Sequence, residues 1–161
     1  RVAATEAVEA QDLASETAEL RGHVVVAGFG RVGRAVCRML AEGEVPYVAL
    51  DLEPERVARA RAQGLPVFYG DAAQPAVLRG AGVEHARSAV LTMDDPAAAE
   101  RAAAGLRASF PDTPIFARAR DNPHRERLES AGATGIVHET LGLSLELGGA
   151  VLKAIEEEDK A

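Results

Sequence analysis

The chain has 161 residues, of which 47% are hydrophobic and 4% aromatic, with a net charge of −7 and a single cysteine. This length suits one globular domain. The acidic charge disfavours nucleic acid as a partner, and one cysteine excludes an internal disulfide. The sequence contains no run of 18 apolar residues, so we expect no direct membrane insertion of this segment.

The N-terminal residues 1–21 are acidic and carry little apolar content. This composition predicts a poorly ordered, solvated linker. The chain also begins with Arg1 instead of methionine, which indicates a piece of a longer polypeptide. We expect a nucleotide-binding domain over 22–140, followed by a C-terminal helix and tail over 141–161.

From Gly22 onward, six short apolar runs alternate with helical patterns. This alternation predicts an α/β fold with a Rossmann-like, doubly wound parallel six-stranded sheet. The expected strands are His23–Ala27, Tyr47–Leu50, Val67–Tyr69, Ala89–Thr92, Ile115–Ala117 and Gly135–Val137.

Several residues between these runs are typical of helix ends. Asp95 is predicted as the N-cap of an alanine-rich helix, and Asn122 as the N-cap of the next, with Pro123 at its first position. Gly132 is expected to end that helix. Thr140 is expected to cap the final helix.

The first strand leads directly into a Gly-Phe-Gly-Arg-Val-Gly motif at Gly28–Gly33. Gly28 permits a tight turn, Gly30 lets the backbone approach a phosphate, and Gly33 lets the helix pack on the strand. The helix begins near Arg31 and presents free amide groups to an anion. A cation is disfavoured there by about 0.3–1 kcal/mol, and a bound anion would remove this conflict. We therefore expect Arg31 to contact phosphate, with a solvated side chain that points away as the alternative.

A second strand ends in an acidic residue, Asp51, followed by Leu52. A carboxylate at this place can bind both ribose hydroxyls and would repel a 2′-phosphate. Together with the glycine motif, Asp51 predicts a nucleotide site.

Other strand ends should line the same crevice, because ligands of such sheets bind at the carboxyl ends of the strands. Asp71 either bonds the adenine or caps the next helix. Arg118 and Arg120 lie on one side of their strand, and they either bind a second anionic group or are exposed charges. The remaining candidates are Ala72, Thr92 and Met93.

The sequence offers no pattern for catalysis or for a metal site. The four histidines share no metal-ligand spacing, and no catalytic dyad or triad can be proposed, so we expect no enzyme activity. Cys37 lies within a helical pattern and is interpreted as a small buried residue, with a redox-sensitive thiol as the alternative.

The last predicted helix carries two apolar stripes. Leu141, Leu145, Leu152 and Ile155 form one, and Leu143, Leu147 and Val151 form the other. A helix that covers only its own sheet needs one stripe. The second stripe, with a mid-helix glycine pair at 148–149, predicts a homodimer through this helix.

The segment Gly22–Gly33 resembles the opening of RCK domains, also called KTN or TrkA-N domains. It is most similar to those at the C-terminus of Kef and KEA potassium/proton antiporters. The similarity continues, in order and spacing, through Val48–Asp51, Val67–Ala72, Asp94–Pro96, Ala117–Asp121, Ala131–Thr134 and Val137–Leu141.

The resemblance implies a dimeric regulatory domain that binds an adenine nucleotide. AMP is the first candidate, and ATP, ADP or NAD(H) are the alternatives. Its partner would be the membrane antiporter domain of the same polypeptide. It would lie on the soluble side of the membrane, in the bacterial cytoplasm or in the plastid stroma. Glu139 matches a carboxylate position at the dimer interface. The full set of expected nucleotide-binding residues is Gly28, Phe29, Gly30, Arg31, Val32, Gly33, Asp51, Leu52, Asp71, Ala72, Thr92, Met93 and Arg118.

Two alternative functions come from other classes of protein. One is a fragment of an NAD-dependent oxidoreductase. Almost the whole length of the chain is needed for the sheet and its helices, which argues against this alternative. The other is a redox-sensing transcriptional regulator, against which the chain is acidic and has no DNA-binding motif.

Overall fold

A computed structural model of the protein describes residues 12–161, and at Leu141 it describes the backbone alone. The strands are β1 (Val24–Ala27), β2 (Tyr47–Asp51), β3 (Val67–Tyr69), β4 (Ser88–Leu91), β5 (Ile115–Ala119) and β6 (Gly135–His138). They form one parallel sheet in the order β3-β2-β1-β4-β5-β6. The predicted fold class and all six predicted strands are confirmed, with β3 (Val67–Tyr69) as predicted and no strand end shifted by more than two residues.

Helices connect the strands, while one helix precedes the first strand and another follows the last. The described part of α1 covers residues 12–17. The others are α2 (Arg31–Glu42), α3 (Pro54–Ala62), α4 (Pro75–Gly80), α5 (Pro96–Ser109), α6 (Asn122–Ala131) and α7 (Glu139–Lys160), with a 3-10 turn at Val83–His85. Within residues 12–161, none of these helices combines the length and the apolar content needed to cross a bilayer.

Two apolar clusters pack on opposite faces of the sheet, as expected for parallel strands. Val25 and Ala27 of β1 belong to the larger cluster, together with the alanine-rich face of α5. Val24 and Val26 belong to the smaller one, with Cys37 of α2 and Val57 of α3. Alanine lets α5 lie close to the sheet, so the core is filled without large aromatic side chains.

The acidic N-terminal segment differs from the predicted poorly ordered linker. Residues 1–11 lie outside the described structure, but residues 12–17 are helical. Leu13 is 1% exposed and belongs to the larger cluster. Thr17 donates a hydrogen bond to the carbonyl of Gly80, and Glu16 pairs with Arg61 at 2.8 Å. One buried leucine and two tertiary contacts order a segment whose average composition is polar.

Replacing Leu13 with alanine is expected to lower the free energy of unfolding by about 2 kcal/mol, at the low end for a buried leucine because a terminal helix can shift to fill the cavity. Urea unfolding measures the change. Ser15→Ala, at an exposed position of the same helix, is the matched control and should stay within about 0.5 kcal/mol. If Leu13→Ala is as stable as the parent, α1 contributes nothing to the core.

Two helices are capped by residues that precede the predicted caps. The N-cap of α6 is Asp121, not Asn122, and its carboxylate accepts from the amide of His124 at 2.8 Å. Aspartate accepts such a bond as well as asparagine does, so the two neighbours could not be ranked. The final helix begins at Glu139, ahead of the predicted cap Thr140. Asp95 is confirmed as the N-cap of α5.

The helix α7 does not cover its own sheet, which corrects half of the two-stripe interpretation. Side chains of both stripes are exposed, by 47–68% for Leu143, Leu145, Leu147, Val151, Leu152 and Ile155. The helix is continuous through Gly148 and Gly149, and a Cβ added at either glycine would meet no heavy atom within 4 Å. The glycines therefore neither break the helix nor serve a contact inside the described chain.

One face of the sheet stays open beyond β1. The α2 and α3 helices cover this face at β1 to β3. Phe116 of β5 pairs with Val90 of β4 and lies on this same face, where it is 46% exposed. Val137 of β6 is 66% exposed. A Rossmann-type sheet is normally covered on both faces, so this half is uncovered in the single chain.

Candidate functional site

A cleft of about 380 Å³ opens at the carboxyl ends of the strands. It lies where the strand order reverses, because β1 is followed by β2 on one side and by β4 on the other. Ligands of open α/β sheets bind at such switch points. Its lining residues are Gly28, Gly30, Arg31, Val32, Leu50, Asp51, Leu52, Arg56, Gly70, Asp71, Ala72, Ala73, Thr92, Met93, Asp94, Asp95, Ala98 and Arg101.

The glycine motif forms the floor of the cleft, and its three glycines have different tasks. Gly28 has φ +100°, which L side chains rarely adopt. Gly33 fits only without a side chain, because a Cβ there would lie 2.0 Å from the carbonyl oxygen of Gly28. Gly30 has open space, with no heavy atom within 4 Å of an added Cβ. The open space at Gly30 faces the cleft and leaves room for a ligand.

The N-terminus of α2 is available to an anion. The N-cap Gly30 offers no side-chain acceptor, and the first turn contains no acidic residue. The helical hydrogen bonds begin with the amide of Arg34, which donates to the carbonyl of Gly30 at 2.9 Å. The three amides before Arg34 are those that a helix leaves without an internal partner, and Arg31 adds a full positive charge beside them.

Asp51 is held in a fixed orientation at the end of β2. Its Oδ2 accepts from the amide of Phe29 at 2.7 Å, and its Oδ1 accepts from the amide of Glu53 at 2.8 Å. The side chain is nearly buried, with 8% exposure. Arg56 of α3 forms an ion pair with it at 3.1 Å. The carboxylate thus reaches the cleft while it ties the glycine motif to the β2–α3 connection.

Thr92, at the end of β4, fixes the glycine turn from the other side. Its hydroxyl lies 2.9 Å from the carbonyl oxygen of Ala27 and 3.0 Å from that of Gly28. The residue is buried, so its role within the chain is to hold the turn. Met93, the next residue, is partly exposed in the cleft.

Asp71 lines the cleft and closes the loop after β3. Its Oδ1 accepts from the amide of Ala73 at 2.9 Å. The N-cap of α4 is Gln74, so the alternative prediction that Asp71 caps this helix is wrong, and Asp71 closes the turn that precedes the cap. Ala72 lies beside it and is buried.

Three of the predicted site residues lie outside the lining of the cleft. Phe29 is buried beneath the floor and offers only its amide to Asp51. Gly33 packs against Gly28. Arg118 bonds the carboxylate of Asp94 and lies 3.8 Å from that of Glu139. Arg118 therefore meets the cleft through Asp94, which is part of its lining.

Two cationic residues of the cleft were missed by the sequence reasoning. Arg56 follows Asp51 by five residues, which places it on the first turn of α3 and back toward the carboxylate. Arg101 lies on α5, three residues after Ala98, and such a pair shares one face of a helix. The sequence shows that each arginine shares a helix face with its neighbours, but only the fold shows that this face is turned toward the cleft.

The single cysteine is not part of the cleft. Cys37 is buried in the smaller apolar cluster. Burial raises the pKa of its thiol from an ordinary 9.0 to about 12. Because the thiolate is the reactive form, the thiol stays protonated and inert near neutral pH, which supports the reading of Cys37 as a buried core residue.

The comparison with known proteins agrees with this geometry. Residues 24–139 match the TrkA-N domain family. The chain is 44% identical over 138 residues to K(+) efflux antiporter 2, chloroplastic, of Arabidopsis thaliana. That match covers 86% of this chain but only 12% of the length of the relative.

Two solved structures share the fold with sequence similarity. The Shewanella denitrificans Kef CTD in its AMP-bound form is 30% identical with a TM-score of 0.69, over 83% of this chain and 80% of that one. The GsuK channel bound to NAD is 28% identical with a TM-score of 0.68, over 74% of this chain and 22% of that one. Both proteins were captured with a ligand that contains adenosine phosphate.

Proposed function

This chain belongs to the TrkA-N domain family, and on that premise we propose that it is the regulatory nucleotide-binding domain of a potassium/proton antiporter. The observation that carries the proposal is the cleft at the strand switch point, where the α2 N-terminus and Asp51 lie together. The domain would act as a sensor and not as an enzyme, as its likeness to an antiporter and to a ligand-bound Kef domain supports.

The geometry supports one orientation of the ligand. The phosphate lies at the amides that open α2, next to Arg31, where the helix dipole and the side chain both favour negative charge. The ribose hydroxyls donate to Asp51. The adenine then extends toward Leu52 and Ala72, which supply apolar surface at the far side of the cleft.

AMP is the first candidate among the adenine nucleotides, with ADP, ATP and NAD(H) as the others. The likeness to a Kef domain in its AMP-bound form supports AMP as the first candidate, and the cleft volume of about 380 Å³ lies within the range of ligand sites. Isothermal titration with AMP, ADP, ATP, NAD and NADH tests the proposal. We expect heat of binding for AMP; a protein that binds none of the nucleotides would contradict the proposal.

The same proposal includes a route from the cleft to the final helix. Asp94 follows β4 at the cleft, Arg118 bonds it, and Glu139 is the first residue of α7. A nucleotide that changes the position of Asp94 changes the contact between Arg118 and Glu139. Regulation requires that the ligand bind two arrangements of α7 with unequal affinity, and this chain of contacts supplies the connection.

A homodimer is the second part of the proposal, and two exposed surfaces support it. The uncovered face of β5 and β6 presents Phe116 and Val137, and α7 presents its apolar side chains to solvent. Exposed apolar surfaces of this extent are typical of an interface. A second copy of the chain offers both surfaces at once, so that each α7 can be covered by the other protomer.

Leu147→Asp is expected to convert the dimer into a monomer, because it places a charge in an apolar interface. Sedimentation velocity at micromolar concentration measures the change. Lys153→Asp introduces the same carboxylate six residues later in α7, at a position that is already polar, and should leave the dimer intact. A parent protein that sediments only as a monomer, or a Leu147→Asp variant that stays dimeric, would contradict this interface.

The domain would lie on the soluble side of the membrane, joined to the antiporter domain of the same polypeptide. The relation to a chloroplast antiporter and to a Kef domain supports the plastid stroma or the bacterial cytoplasm as that compartment.

A further inference from the structure

The carboxylate of Asp51 has no free acceptor site in the described structure. A carboxylate offers about four lone-pair sites. Its Oδ2 accepts from the amide of Phe29 at 2.7 Å and from Arg56 Nη1 at 3.1 Å. Its Oδ1 accepts from the amide of Glu53 at 2.8 Å and from the same Nη1 at 3.3 Å. Two ribose hydroxyls cannot be added to this set without the loss of a present donor.

The three donors differ in how easily they can leave. The amides of Phe29 and Glu53 belong to the backbone of the glycine motif and of the β2–α3 connection, so their loss would rearrange both. Arg56 is a flexible side chain, 36% exposed, and it lines the cleft. Its Nη2 also pairs with Glu53 at 2.8 Å, so it keeps a partner after it leaves Asp51.

We propose that Arg56 is a specificity-determining residue of the nucleotide site that occupies the place of the ribose hydroxyls and must be displaced when a ribose binds. This inference rests on the proposed function, since it needs a nucleotide in the cleft. In the ligand-free protein the guanidinium satisfies a nearly buried charge. In the complex the two hydroxyls take over that task, and Arg56 retains its contact with Glu53.

The exchange lowers the affinity for ribose-containing ligands, because the ion pair must be broken first. An ion pair that is partly exposed makes only a small contribution to stability. Its removal should therefore tighten nucleotide binding by up to about fivefold. A ligand without ribose hydroxyls leaves the ion pair in place, so its affinity should not depend on Arg56.

The test measures the affinity of the whole chain for AMP and for 2′,3′-dideoxyadenosine monophosphate by isothermal titration. The variants are Arg56→Ala and, as matched control, Arg59→Ala, which removes an exposed arginine one turn further along α3. Thermal unfolding confirms that each variant is folded. We expect Arg56→Ala to bind AMP up to about fivefold more tightly than the parent, with unchanged binding of the dideoxy analogue, and Arg59→Ala to match the parent for both.

Two results would overturn the inference. Weaker AMP binding by Arg56→Ala would mean that Arg56 holds the nucleotide. Equal changes for AMP and for its dideoxy analogue would mean that Arg56 does not act through the ribose hydroxyls. The parent titration separates this inference from the function: AMP bound by the parent supports the function whatever the variants do, and no binding by any protein contradicts both.

Discussion

Asp51→Ala is expected to weaken the binding of AMP by about a hundredfold. The substitution removes the carboxylate at the end of β2 to which the two ribose hydroxyls are proposed to donate. Each hydrogen bond to a charged group contributes about 1.5–3 kcal/mol. At the low end two such bonds contribute about 3 kcal/mol, and this loss is slightly offset because Arg56 no longer competes. About 2.7 kcal/mol then remains, which corresponds to a factor of about one hundred. Isothermal titration of the parent and the variant measures it.

The loss of Asp51 also affects the fold, and the measurement must separate the two effects. The amides of Phe29 and Glu53 lose their acceptor, at a cost of about 1–3 kcal/mol for each group left unsatisfied. Thermal unfolding sets a temperature at which the variant is folded, and the titration is done there. Asp112→Ala removes an exposed carboxylate outside the cleft and should bind AMP like the parent. Parent-like AMP affinity in folded Asp51→Ala would show that the ribose is elsewhere.

Gly33→Ala is expected to lower the free energy of unfolding by about 3 kcal/mol or more. The new Cβ would lie 2.0 Å from the carbonyl oxygen of Gly28, 2.7 Å from its carbonyl carbon and 2.9 Å from Thr92 Oγ1. Two of these atoms are backbone, so no rotamer change relieves the overlap, and β1 and α2 must separate. Overpacking in a well-packed core typically costs about 1–3 kcal/mol, and more where the backbone has to move. Urea unfolding gives the difference.

Gly30→Ala is the matched comparison within the same motif. Its φ of −79° suits any residue, and an added Cβ meets nothing within 4 Å, so stability should stay close to that of the parent. The methyl group projects into the space that the phosphate needs, so AMP binding should be lost. Gly33→Ala with parent stability would contradict the proposed packing of α2 on β1, and Gly30→Ala with parent affinity would contradict the proposed phosphate position.

The sheet and the floor of the cleft could be predicted from the sequence because both depend on local patterns. Buried parallel strands appear as short apolar runs bounded by turn residues. The glycine motif and Asp51 follow two such runs directly, so their meeting at one edge of the sheet is a consequence of parallel strand order. Each of these features is contained within a few residues of the chain.

The missed features depend on contacts between distant segments. The order of α1 comes from Leu13, whose burial depends on a surface that forms only when the rest of the domain has folded. The pairing of Arg56 with Asp51 depends on the angle at which α3 leaves β2, and the entry of Arg101 into the cleft depends on the position of α5. The exposure of α7 was missed because an amphipathic pattern does not say which surface covers it.

A crystal structure of the chain soaked or grown with AMP tests the central claim most directly. We predict the phosphate at the amides that open α2 beside Arg31, the ribose hydroxyls within hydrogen-bond distance of Asp51, and Arg56 moved from Asp51 toward Glu53. AMP bound away from the glycine motif, or a cleft left empty at saturating AMP, would contradict the account.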